Sequence, residues 1–456
     1  MRKFISLSLT TLLLASCAMT PAYERPDIST PASWSSVKNS DDSSSAVIAY
    51  NWWSAFKSDE LNALMDKALE QNTDIRAGVQ RIAQARASLK IAGADLLPSV
   101  SGSGNASRSK TNPSSGKSSY STALGVGVSA SYELDLFGAN RAGVSAAEAS
   151  YQGSLYDQEA LRLSLMGDVA SSYFTLVNLR ERLQIADNNL KNAREVLRII
   201  QSRVNEGAES DLELSQQKSA VASSEATRAG LIEQIQNAEN ALAVLLGQTP
   251  QSLKITRSKL DGLNIPDIST GQPSDLLKRR PDLRSAEADL LAANADIGAA
   301  RAAFYPSITL GLSDSLSLAG FGDPSSTILS LASSISAPIF QGGRLEGGLE
   351  QATARQLELA ETYRGLVLTS FQEVEDAMAA IRSAQAQEKA RKTAMIQARK
   401  AYKLSKSLYE AGSIDYQTLL DTQDTQLSAE DSYAQARLAR LNAAVMLYRV
   451  LGGGWA

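Results

Sequence analysis

Two hydrophobic rhythms alternate along the chain. Over residues 141–206, apolar positions recur at spacings of three and four: Leu176, Leu179, Leu183, Ala186, Leu190, Ala193, Leu197, Ile200 and Val204. That heptad spacing belongs to a long helix burying one seam against a partner helix. About 66 residues at 1.5 Å each predict a helix of roughly 100 Å. A glycine, Gly207, then reverses the chain, and a return helix keeps the same spacing through Val221, Ser224, Arg228, Leu231, Ile235, Ala238, Leu242 and Leu245. Its polar members predict a wall with one wet face. The other rhythm has period two, as in Ala123-Leu124-Gly125-Val126-Gly127-Val128, and predicts strands.

Both rhythms occur twice. Asp74-Ile75-Arg76 aligns with Asp282-Leu283-Arg284, Pro98-Ser99 with Pro306-Ser307, Phe137 with Phe340, Gly207 with Gly412, and Leu246-Gly247 with Leu451-Gly452. Shared landmarks in one order, about 205 residues apart, identify an internal duplication. Each half predicts a helical stretch (60–96, then 274–305) stopped at Leu97-Pro98 or Tyr305-Pro306, because proline ends a helix. Strands follow at 99–110 and 120–134, then at 307–318 and 327–339, joined by polar loops at 111–119 and 319–326. Long helices at 141–206 and 344–411 return through helices capped at Gly247 and Gly452. The division is a segment 17–51, a first repeat 52–247 with its hairpin at 141–246, a linker 248–273, a second repeat 274–452 with its hairpin at 344–450, and a tail 453–456.

Composition narrows the chemistry. Histidine is absent and aromatic residues are 6% of the chain, so His-based acid–base catalysis and His-ligated metals are excluded. No Gly-x-Ser-x-Gly element or phosphate-binding loop is present, so neither an enzyme nor a catalytic residue is expected. A net charge of −4 without a basic patch gives no reason to expect nucleic acid. No resident metal or other cofactor is expected.

The first residues set the compartment. Arg2 and Lys3 precede a short apolar run ending in Leu14-Ala15-Ser16-Cys17. This reads as a signal peptide, 1–16, followed by a lipobox whose sole cysteine, Cys17, carries the covalent lipid. Ala18 follows, not an aspartate, which favours the outer membrane of a Gram-negative bacterium. Strands of 11–14 residues suit an outer-membrane crossing. Four of them cannot close, and open edges in lipid leave N–H and C=O groups unsatisfied. A homotrimer would supply twelve strands and close one barrel. The expected fold is therefore an α+β membrane protein: a trimeric twelve-stranded outer-membrane β-barrel, four strands per chain, continued by a long periplasmic α-helical barrel.

Arg279-Arg280-Pro281-Asp282-Leu283, the run Ala292-Ala293-Asn294-Ala295-Asp296-Ile297-Gly298-Ala299-Ala300-Arg301 through Tyr305-Pro306-Ser307, Tyr132-Glu133-Leu134-Asp135-Leu136-Phe137-Gly138, and Leu419-Leu420-Asp421 resemble the TolC-like family of efflux outer-membrane lipoproteins. The resemblance spans the mature chain. It implies an exit duct passively conducting drugs, other toxic compounds or metal ions. It also implies a periplasmic adaptor and an inner-membrane efflux pump of the resistance-nodulation-division class as partners, and an equatorial collar drawing on 248–273. Asp421 falls on the family's gate aspartate. Where many relatives continue Ala-Gln-Arg, this chain has Thr422-Gln423-Asp424, so three chains would set two carboxylate rings, Asp421 and Asp424, across the narrow end. Such rings favour cations, and crowding raises their pKa values; a solvated helix face is the plainer reading of the same acids. The tips 203–214 and 408–419 are expected to meet the adaptor through Arg203, Gly207, Ser210, Gly412 and Asp415. Tyr120, Tyr132 and Phe321 fit interfacial girdles, whereas Trp52-Trp53 fits core packing. The rival readings are a protein-secretion exit duct and a purely structural coiled-coil lipoprotein; the second would not need period-two segments.

Overall fold

The computed structural model describes residues 19–35, 48–268, 270–319 and 324–454. The signal segment 1–16, Cys17 and Phe321 lie outside the described residues. In the first half, helix α1 (Asp59–Gln71) and helix α2 (Thr73–Ala94) precede strands β1 (Ser99–Thr111) and β2 (Ser119–Leu134). The long helix α3 (Ala139–Asn205) and the return helix α4 (Asp211–Leu245) follow. The second half repeats the order with α5 (Leu276–Arg279), α6 (Pro281–Ala302), β3 (Ser307–Ala319), β4 (Pro324–Ser336), α7 (Arg344–Glu410) and α8 (Tyr416–Val450). The long helices are both 67 residues and the return helices both 35, so the duplication is preserved in length as well as in order.

Contacts divide the chain into two compact units: one of Gln80–Leu155 and Ser285–Gly365 with the chain up to Ile28, the other of Ser29–Val79, Tyr156–Arg284 and Leu366–Ala456. The first unit holds one antiparallel sheet in the order β1-β2-β3-β4. Its registers put Val100, Ala130 and Leu312 in one cross-strand row, and Ala106, Leu124 and Leu318 in another. Because side chains alternate across a strand, the face carrying Leu124, Val126, Val128, Leu310, Leu329 and Leu331 is apolar. The opposite face carries Ser101, Ser103, Ser129, Ser313, Ser315 and Ser330; Ser101 and Ser129 hydroxyls pair across it at 2.9 Å. Within the protomer most of both faces is exposed, and β1 is exposed along its whole length. Charges interrupt the apolar face at Asp314, which stands opposite Val128 and Leu329, and at Arg108 and Lys110 near the β1–β2 turn.

Strand β4 differs from expectation. It runs three residues earlier than 327–339, because Pro338 has no N–H for the ladder and constrains Ala337. Ile339 is left 99% exposed. In the same unit, Asn294 Nδ2 donates to Pro21 O at 2.8 Å and Arg25 pairs with Glu287 through both carboxylate oxygens. Thr20 lies so close to Gly298 that a Cβ there would sit 2.8 Å from Thr20 Cα. The N-terminal segment is thereby laid along α6.

The second unit holds the core. Trp52, Trp53, Phe56, Met65, Phe174, Leu242 and Tyr448 form its centre, and Trp52 stacks on Tyr448 at 4.9 Å, so the tryptophan pair is packing. Further along, the seam of α3 buries Leu179 and Ala186 against Leu231, then Leu190 and Ala193 against Val221. The last cluster joins Val196, Ile200 and Leu214 to Tyr402, Tyr409, Tyr416 and Leu419. Linker residues are fastened to the helices: Glu60 accepts from Thr256 N (2.6 Å), and Arg180 donates to Ile255 O (2.7 Å).

The expected continuous helices 60–96 and 274–305 are both broken, and at equivalent places. Asn72 (ψ 132°) separates α1 from α2, and Arg280 (ψ 118°) separates α5 from α6. Pro281 explains the second break, since it disfavours helical backbone at the residue before it while suiting a first helical position. At the first, the Asn72 carboxamide accepts from Asp74 N (2.8 Å) and Ile75 N (3.1 Å), capping α2. Each break also serves the return helix of its own half. Asn72 Nδ2 donates to Leu245 O at 2.8 Å, and the Arg280 guanidinium donates to Val450 O at 3.4 Å. Both helix ends thus gain a partner for an otherwise orphaned carbonyl.

Candidate functional site

The hairpin tips are built by the same local rules in both halves. Gly207 and Gly412 each adopt φ +73°, the left-handed conformation that glycine enters without Cβ strain. Behind them Ala208 N donates to Arg203 O and Ser413 N to Leu408 O, both at 2.8 Å, closing Schellman turns. Ser210 then caps α4, accepting from Leu212 N at 3.2 Å while its own N–H donates to Glu213 at 3.1 Å. Asp415 caps α8 by accepting from Thr418 N at 2.8 Å, and that bond holds its carboxyl below the usual aspartate range. Ser210 and Asp415 are therefore equivalent caps as well as exposed tip positions.

Arg203, expected at the adaptor-facing tip, also bridges the two tips. Its guanidinium lies over the Tyr409 ring at 4.4 Å and donates to Tyr409 O (2.9 Å) and Glu410 O (3.4 Å). Those carbonyls end α7, the negative end of that helix's dipole, where a cation is favoured. Glu209 completes the cluster: it pairs with Arg203 at 3.4 Å and accepts from the Tyr409 hydroxyl at 3.2 Å. A single arginine thus ties the two tips together, and 405–408 needs no equivalent. Below it, the Tyr416 hydroxyl donates to buried Gln217 (2.8 Å), which donates to Ala193 O (2.8 Å). Lys406 pairs with Glu195 at 2.9 Å and lowers that carboxyl's pKa.

Asp421 and Asp424 follow on α8, both exposed in the protomer. Three residues apart, they share one helix face. Asp421 accepts from Gln417 Nε2 at 2.7 Å. The Asp424 carboxyl is raised above the ordinary aspartate value, first by partial burial and second by the charge of Asp421. Crowding across three chains is the expectation; within one protomer the charge of Asp421 is the smaller of the two causes. Asp424 borders a groove of about 480 Å³ among α3, α4 and α8, walled by Asn189, Ser219, Ser223 and Gln423. Among the described residues no group of three or more metal-ligating side chains occurs, and no helix is long and apolar enough to cross a membrane.

Comparisons with known proteins agree with this arrangement. The family model for "Outer membrane efflux protein" matches residues 64–248 and 272–453, the two halves of the duplication. The chain is 39% identical to the pyoverdine export outer membrane protein OpmQ of Pseudomonas aeruginosa over 462 residues, covering 99% of this chain and 97% of that one. Among solved structures, the CmeC outer membrane channel of Campylobacter jejuni superposes with a TM-score of 0.90 at 26% identity, covering 96% of this chain and 95% of that one. The open state of the Neisseria gonorrhoeae MtrE outer membrane channel gives 0.85 at 30% identity, covering 96% and 98%. With the repeats, the four-stranded sheet and the paired helical hairpins in place, the chain belongs to the outer membrane efflux protein family.

Proposed function

We propose that three copies of this chain close a twelve-stranded barrel in the outer membrane and continue into a periplasmic helical barrel, the exit duct of a tripartite efflux pump. One observation carries the reading: a four-stranded sheet with two open edges, one apolar face and one hydroxyl-lined face, largely unburied within its own protomer. Edges of this kind are untenable in lipid unless each β1 pairs with a neighbour's β4. The hydroxyl face then lines water and the apolar face meets acyl chains. The duct conducts passively, and the inner-membrane pump selects the cargo. The tips around Gly207, Ser210, Gly412 and Asp415 receive the periplasmic adaptor, with Arg203 holding them as one surface.

Lipidation at Cys17 fits the same picture. Three residues further along the chain, Thr20 is fixed against Gly298. Gly298 lies nine residues before the start of β3 at Ser307.

On α8, Asp421 and Asp424 form two carboxylate rings that gate the periplasmic constriction and favour cations. The sign of the pH effect follows from Asp424. Its raised pKa means that Asp424 takes up its proton at a higher pH than an ordinary aspartate, so its charge is reduced as pH falls through the raised value. Cation selectivity should therefore fall on acidification. Single-channel recordings of Asp421→Ala/Asp424→Ala in planar bilayers test the gate: higher conductance with reduced cation selectivity is expected. Traces matching wild type would remove the gate from the account.

A further inference from the structure

The far end of the β1–β2 hairpin carries a cluster that conduction does not use. Lys110 is paired with Tyr120 across the strands, and Arg108 with Thr122 in the next row on the same face. Arg108 Cζ lies 5.2 Å and Lys110 Nζ 5.5 Å from the centre of the exposed Tyr120 ring, so one aromatic plate is flanked by two cations. Residues 99–132 contain no Asp or Glu, and all three of their cations (Arg108, Lys110 and Lys117) lie at this end, in a chain of net charge −4.

The side and the height of the cluster are both defined. Arg108 and Lys110 stand in the row that continues through Leu124, Val126 and Val128, the apolar face. Tyr132 and Tyr120 on that face are 12 residues apart. At about 3.4 Å per residue and a tilt near 40°, this spans roughly 30 Å, the thickness of a hydrocarbon core. One tyrosine thus marks each boundary, and the two cations sit beside the one at the hairpin end, facing lipid.

On the barrel reading above, we propose that Arg108 and Lys110, braced by Tyr120, bind the phosphate groups of the phosphorylated glycolipid in the outer leaflet. Guanidinium and ammonium donors complement phosphate oxygens, and membrane-facing cations gain most where anionic headgroups are concentrated. The site pins the hairpin to its surrounding lipid and does not touch the cargo.

The full chain and Arg108→Gln/Lys110→Gln, both purified from membranes, should be compared in phosphatidylcholine nanodiscs titrated with bisphosphorylated or dephosphorylated lipid A. Wild type should bind the bisphosphorylated form about tenfold or more tightly than the double variant does. Dephosphorylated lipid A should bind both proteins alike, and millimolar inorganic phosphate should not displace the bound lipid. Equal binding of bisphosphorylated lipid A to the two proteins, or full displacement by inorganic phosphate, would overturn the proposal. Heat-modifiable trimer migration, read beforehand on both proteins, separates the two levels. A trimer that ignores lipid phosphorylation ends only this inference, whereas a chain that forms no trimer ends the duct reading and the lipid site with it.

Discussion

Replacing Gly452 with alanine is expected to destabilise the folded protein by about 3 kcal/mol. The figure combines left-handed strain of roughly 1–2 kcal/mol with overpacking of a similar size. Gly452 has φ +91°, and a Cβ there would lie 2.7 Å from the backbone oxygen of Arg279. Backbone cannot rotate aside as a flexible side chain does. Gly247 is the counterpart in the first half, with φ +66° and its missing Cβ aimed at Gln71 O, so Gly247→Ala should cost a similar amount. Gly262 is the control: φ +82° with nothing within 4 Å of a Cβ, so alanine there costs only the strain. Thermal unfolding followed by tryptophan fluorescence reads the difference, because Trp52 and Trp53 lie in the core these glycines close. Equal midpoints for Gly452→Ala and Gly262→Ala would mean that the close approach carries no energy.

Arg280→Leu is the second large effect, at about 2–3 kcal/mol, because the two carboxylates it leaves behind are each about a third exposed and partly solvated. Arg280 is 8% exposed; it pairs with Asp282 at 2.7 Å and Glu373 at 2.5 Å and reaches Val450 O. Burial alone would lower the guanidinium pKa, but the bonds to Asp282 and Glu373 reverse that, and the pKa is raised. A raised basic pKa is stabilising everywhere below the unfolded value, so the contribution holds throughout the physiological range. Leucine fills the space yet leaves two carboxylates without their cation and a helix-end carbonyl without its donor. Arg280→Lys should recover part of the loss, since an ammonium keeps the charge but not the fork. Denaturation midpoints of the three proteins, in the order wild type, Lys, Leu, are the check; a Leu variant as stable as wild type would contradict the role given to Arg280.

Both predictions rest on features the sequence announced unevenly. The duplication was legible because its landmarks are residues with restricted jobs. Pro98 and Pro306 stop helices, and Gly207 and Gly412 turn the chain. The strands were legible from period-two alternation, and β4 slipped by three residues because Pro338, not the apolar Ile339, decides where pairing ends. The break at Asn72 was hidden. Apolar spacing runs straight through it, and its cause is a carboxamide that caps α2 while bonding a carbonyl 173 residues away. Arg280-Pro281, in the same position of the other repeat, held the clue.

The candidate sites divide the same way. Asp421, Asp424 and the glycine turns follow from motif and spacing. The job of Arg203 depends on carbonyls 206 and 207 residues further along the chain, which no local pattern announces. The cap formed by Asp415 repeats that formed by Ser210 with a different residue type, so the repeat conserves the bond and not the letter.

Four strands with two bare edges cannot remain alone in a bilayer, and the stoichiometry of the folded, lipid-embedded protein tests this directly. Native mass measurement of the chain in nanodiscs should give three copies per particle, converting to single chains only on boiling. A folded, heat-modifiable particle containing one chain would contradict the account.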